Sequence, residues 1–154
     1  MNVLQCTGSC LEYRNGVEYR AAAYEPDVGK QDSKRPKNRR DCTVVALAVS
    51  CGVDYDTAYD ELAQRGRKSS TGFWFPSSVK SRRNDTVLGV TFTWYPLQAV
   101  KGERRMTPTV FVHEHPSGKF VLRLSKHVVA VIDGVVYDPA GRLDACVYGY
   151  WAAS

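Results

Sequence analysis

Asn38-Arg39-Arg40-Asp41-Cys42-Thr43-Val44-Val45-Ala46-Leu47-Ala48-Val49-Ser50 decides how the chain folds, because a polar, basic approach turns abruptly apolar at Asp41-Cys42. Aspartate is a favoured helix N-cap, since its carboxylate accepts from the backbone N–H groups of the first turn. Asp41 is therefore expected to cap a helix that begins at Cys42 and ends at Cys51-Gly52. A short helix that is apolar on nearly every face must be buried on all sides. A cysteine at its first position meets the positive end of the helix dipole and unpaired N–H groups, and both favour thiolate over thiol. Such a thiolate is a nucleophile that needs a base.

His127 is the candidate base, in Lys126-His127-Val128-Val129-Ala130-Val131-Ile132-Asp133-Gly134-Val135-Val136-Tyr137-Asp138-Pro139. Two β-branched runs around Asp-Gly predict a hairpin with a two-residue type I′ turn. Counting outward from the turn, Ile132 faces Val135, Val129 faces Asp138 and His127 faces Ala140. Alternation then sets His127, Val129 and Asp138 on one face. His127 and Asp138 become diagonal cross-strand neighbours roughly 7 Å apart at the backbone, close enough for their side chains to meet. A carboxylate beside an imidazole fixes its tautomer and supports its protonated form, which completes a nucleophile–base–orienter set.

Cysteine at the head of a buried helix, then histidine on a central strand, then aspartate on the next, resembles the papain-like cysteine peptidases. The likeness is strongest to their bacteriocin-leader-processing branch, through the Asp41-Cys42 pair and the His127-Val128-Val129 strand. The wider pattern from Arg39 to Trp151 also resembles small uncharacterised bacteriophage proteins. It runs through Asp41-Cys42-Thr43-Val44, Tyr55-Asp56, His127 to Val135 and Cys146-Val147-Tyr148-Gly149-Tyr150-Trp151. The resemblance implies a papain-like α+β fold, a Cys42–His127–Asp138 triad, a peptide or protein substrate and no cofactor. It further implies a phage protein at work in the host cytoplasm, where a host protein is a candidate partner. Papain-like enzymes carry a glutamine six residues before the cysteine to help hold the oxyanion. That position here is Pro36, and Asn38 is the available substitute.

The rest of the chain supports one domain. At 154 residues it is long enough to build a core, and 44% apolar with 24% charged residues is the balance of a soluble globular protein. No run approaches the ~20 apolar residues of a membrane helix, and the start from Met1 to Cys6 does not read as a signal peptide. Five cysteines, an odd number, suit free thiols in a reducing cytoplasm.

Residues 1–24 hold a hairpin around Asn15-Gly16 whose second strand is expected to run on to Tyr24, and residues 25–40 form a basic loop. Residues 41–66 are helical, with Asp54 capping a second helix whose stripe is Tyr55, Ala58, Tyr59 and Leu62 and with Gly66 beyond its end. Ser77 to Asn84 suggests a short basic helix. Residues 87–151 are expected to form an antiparallel sheet containing Val90–Trp94, the apolar segment Met106–His113, Lys119–Ser125, the His127 hairpin and the last apolar run. Helices and strands so segregated give an α+β fold.

Phe73-Trp74-Phe75-Pro76 offers Phe73 and Trp74 as substrate-facing aromatics, with local core as their other reading. Cys6, Cys10, His113 and His115 are metal-ligand residue types, but His-x-His is not the usual spacing of a structural zinc site, and no metal centre is assigned. The net charge of +5 gathers at Lys34–Arg40, Arg65–Lys68, Lys80–Arg83 and Lys101–Arg105. These clusters suit solvated loops or an acidic partner. They leave a second reading open, a non-catalytic basic module that grips nucleic acid or a host factor.

Overall fold

A computed structural model of the protein describes residues 11–14, 17–20, 22–25, 40–68, 73, 84–138 and 143–154. The expected basic helix at Ser77 to Asn84 falls almost wholly outside them. The architecture is α+β. Strands β1 (Leu11–Arg14), β2 (Val17–Arg20) and β3 (Ala23–Glu25) come first, followed by helices α1 (Cys42–Cys51) and α2 (Tyr55–Gln64). Then come β4 (Asp85–Val87), β5 (Val90–Pro96), helix α3 (Pro108–Glu114), β6 (Lys119–Leu124), β7 (His127–Ile132), β8 (Val135–Tyr137) and β9 (Gly149–Ala153). Seven strands make one sheet in the order β3-β8-β7-β6-β9-β5-β4, and β1 and β2 pair apart from it.

Side chains alternate across this sheet and sort into two cores. Val121, Val128, Ala130, Phe92 and Trp151 pack with Val44 to Ala48 of α1 and with Tyr55, Ala58 and Leu62 of α2. Leu122, Leu124, Val129, Val131 and Val136 meet Phe111 and Val112 of α3, with Leu143 and Val147. The sheet is therefore the middle of three layers, α1 and α2 on one side and α3 on the other. Helix α1 is buried almost throughout, with Val44 and Leu47 at 0% exposure. That is the outcome its lack of a polar face demands.

Strand β7 sits between two tight turns. Asp133 and Gly134 both have positive φ, at 47° and 80°, as a type I′ turn requires. Ile132 is opposite Val135, and Ala130 is opposite Tyr137, the register counted from the sequence. At the other end Leu124 pairs with His127, so Ser125-Lys126 is the whole connection between β6 and β7, with Lys126 at φ 53°.

Three expectations are corrected. The second N-terminal strand stops at Arg20, and Ala23–Glu25 is a separate strand that joins the main sheet parallel to β8. The sheet is thus antiparallel except at that edge. The apolar segment from Met106 to His113 is not a strand. Thr107 accepts from the Val110 N–H at 3.3 Å and Pro108 takes the first turn, so Thr-Pro starts a helix there.

Gly149 is required at its place by a close approach. A Cβ built there would run into the Trp94 ring, which lies tilted on Trp151 with centroids 4.5 Å apart. Gly149→Ala is expected to cost about 1–3 kcal/mol through overpacking. A lower urea midpoint at unchanged m would show it.

Candidate active site

The start of β7 and the N-terminus of α1 meet at one end of the sheet. Cys42 there is partly buried and hydrogen-bonded to the His127 side chain and to the backbone of Val128. His127 Nε2 lies 3.1 Å from Asp138 Oδ1, which leaves Nδ1 for the sulfur. Asp138 is only 1% exposed, so its carboxylate is held behind the ring and away from water. His127 and Asp138 share the face that carries Val129, opposite the one α1 covers. The ring still meets Cys42 because His127 is the terminal residue of its strand, beside the helix tip.

Burial alone would raise the Cys42 thiol, but the bonds from His127 and Val128 and the positive ring outweigh it and bring the thiol below its ordinary value. Burial alone would likewise lower His127. The hydrogen bond to Asp138, then that to Cys42, carry it the other way, from 6.5 to about 9. The two shifts oppose one another in the sense that favours a thiolate–imidazolium pair near neutral pH. Cys51 contrasts with this. Half-buried at the far end of α1, with Sγ donating to the Val87 carbonyl at 3.6 Å, it is pushed up by burial to about 11 and stays a thiol.

The cysteine opens on a cleft of about 720 Å³ lined by Cys42, His127, Thr43, Phe73, Arg123 and Lys126 among others. That volume falls in the range of ligand sites. Phe73 is at the wall, its carbonyl accepting from Thr43 Oγ1 at 3.1 Å. Trp74 and Asn38 lie outside the described residues, as do Cys6 and Cys10. His113 meets Tyr19 edge-on, and His115 stacks on Phe111, with ring centroids 4.2 Å apart. Neither histidine reaches the cleft.

The expected cap on α1 is corrected. Asp41 occupies the N-cap position, but its side chain makes no capping bond. Its Oδ2 accepts instead from the Tyr55 hydroxyl at 2.8 Å, in a buried contact between the two helices. Burial and this carboxylate push the Tyr55 phenol far above its ordinary range, so it remains a donor. With the Asp41 carboxylate turned to Tyr55, its side chain caps none of the first-turn N–H groups of α1. Arg67, 5% exposed, donates to the Arg40 carbonyl at 3.3 Å, lies over the Tyr59 ring and holds Arg40 at φ 53°.

Tyr55, Arg67 and Arg123 were not legible as site residues. Tyr55 reads as part of a helix stripe and Arg67 as loop. Arg123 did leave a signal, a cation inside the otherwise apolar run Phe120 to Leu124 of a central strand.

No family model, curated protein or solved structure matches this chain. What the site does is therefore argued from its own geometry.

Two measurements check that geometry. Proton NMR should show His127 titrating near pH 9, with Asp138→Asn moving the midpoint back toward the ordinary value. A wild-type midpoint at 6.5 would contradict the pairing. Tyr55→Phe removes the phenol hydrogen bond to the buried Asp41 carboxylate and is expected to lower stability by about 1–3 kcal/mol, readable in urea denaturation.

Proposed function

We propose that the protein is a cysteine hydrolase of papain-like type that acts on a peptide, isopeptide or related amide bond. One observation carries the proposal: the Cys42 thiol is hydrogen-bonded to an imidazole whose other nitrogen is held by the buried Asp138, at the wall of an open cleft. A structural cysteine needs no such partner, and an inert one such as Cys51 has a raised pKa.

The chemistry follows from that geometry. The Cys42 thiolate attacks the carbonyl carbon, a C–S bond forms, and the carbonyl π pair moves onto oxygen. The Cys42 backbone N–H at the tip of α1 meets the oxyanion, with Asn38 as the proposed second donor. Each such donor is typically worth ~3 kcal/mol of barrier. The intermediate collapses with cleavage of the C–N bond, and the His127 imidazolium gives its proton to the departing amine. Neutral His127 then takes a proton from water, the hydroxide adds to the thioester, and the acid leaves as the thiolate returns. Asp138 holds the ring in position through both halves. Phe73 and Trp74 are proposed to contact the substrate.

The phage likeness and a setting in the host cytoplasm belong to the same proposal. Cys42, Cys51 and Cys146 are free thiols, as suits a reducing compartment. No helix among the described residues is long and apolar enough to cross a membrane.

At pH 6, iodoacetamide should label Cys42 well ahead of Cys51 and Cys146, because the bonds from His127 and Val128 favour the Cys42 thiolate. His127→Ala should slow that labelling by about tenfold or more. A p-nitrophenyl ester should give a burst of nitrophenolate equal to the enzyme present, abolished in Cys42→Ala. Equal labelling of all three cysteines would end the proposal.

A further inference from the structure

Among the described residues that line the cleft, the charge is mostly of one sign. Arg40, Arg123 and Lys126 all line the cleft that holds Cys42 and His127, and Asp41 is the one carboxylate among its described lining residues. Asp41 is already bonded to Tyr55, and Asp138 is sealed behind His127.

Each cation is placed by the fold and not by chain disorder. Lys126 is half of the Ser125-Lys126 connection, immediately before the histidine. Arg40 immediately precedes Asp41-Cys42, its backbone carbonyl held by Arg67. Arg123 pairs across the sheet with Val128, whose side chain packs on the α1 side, so alternation sends the arginine to that same side. The cations therefore line the cleft from the approach to α1, from the β6–β7 turn and from strand β6. A site lined by one sign of charge with apolar walls concentrates ions of the opposite sign.

We infer that the cleft selects a peptide with a carboxylate side chain next to the bond it cleaves, held by Arg123, Lys126 and Arg40 while Cys42 attacks. The inference rests on the cysteine-hydrolase reading and adds its substrate class. Arginine gives the carboxylate a paired, planar contact, and lysine adds a point charge at the lip.

Iodoacetate and iodoacetamide are a matched pair of probes, alike in size and differing in charge. With each, the Cys42 sulfur forms a bond to carbon and iodide leaves. The ratio of the two alkylation rates, read by mass spectrometry, reports the field at the sulfur. Since the His127 ring also favours the anion, the informative quantity is the change in that ratio between variants. It should fall on the order of threefold per cation removed in Arg123→Gln, and again in Arg40→Gln/Lys126→Gln, whose sites are solvent-exposed and tolerate substitution. Because both reagents meet the same thiolate, the ratio cancels any change in thiolate population that the substitutions cause.

An unchanged ratio in the double variant would overturn the substrate class and leave the nucleophile intact. Inertness of Cys42 to both reagents would instead overturn the hydrolase reading, and this inference with it. A third outcome also counts against it: a single-stranded oligonucleotide, but not a glutamate-rich peptide, shielding Cys42 at low salt. The cations would then form a nucleic-acid surface.

Discussion

Everything in the site depends on where the tip of α1 comes to rest. The helix has no polar face, so the sheet must cover one side of it and α2 another, and Val44 and Leu47 are at 0% exposure as a result. Hydrophobic burial is non-directional, and it does not choose the end of the sheet at which the helix starts. The short β6–β7 turn and the buried Tyr55–Asp41 bond supply that choice. The first anchors His127 three residues after Leu124, and the second anchors the residue before Cys42 to α2. With both ends of the contact pinned, the sulfur and the ring are neighbours by construction.

The electrostatics are a consequence of the same packing. A thiol and an imidazole this buried would ordinarily be neutral, because low polarity penalises both charged forms. Here the bonds from His127 and Val128 outweigh the penalty on Cys42, and those from Asp138 and Cys42 outweigh it on His127, so each charged form is favoured by the other. Removing any one of the three takes a compensating charge from its neighbours, and for that reason Cys42, His127 and Asp138 are electrostatically coupled.

The backbone is bent at two points that flank the site. Arg40 and Lys126 both have left-handed φ, 53° in each case, and they directly precede Asp41-Cys42 and His127. Non-glycine residues seldom adopt this conformation, which costs of order 1–3 kcal/mol at functional clefts. Here the two bends turn the chain so that a helix tip and a strand end face one cleft. They also bring two cationic side chains to its rim. Glycine would relieve the strain at either position and lose the charge.

The local elements were written in the order of residues. Asp133-Gly134 between β-branched runs set the hairpin, its register and the His127–Asp138 pairing, since a two-residue turn admits one count outward. The uniform apolarity after Cys42 likewise required a buried helix. Contacts between distant segments were not written there. Asp41 reads as a helix cap in any sequence, yet its carboxylate goes to Tyr55, because a buried phenol fourteen positions on must also be satisfied. Ala23–Glu25 becomes a parallel edge strand by the shape of a sheet assembled elsewhere, whereas the helix Pro108–Glu114 follows from the local Thr107-Pro108 start. Periodicity and turn chemistry act over a few residues and are legible there. The gathering of Arg40, Arg123 and Lys126 around Cys42 is a property of packed surfaces, and only the folded chain decides it.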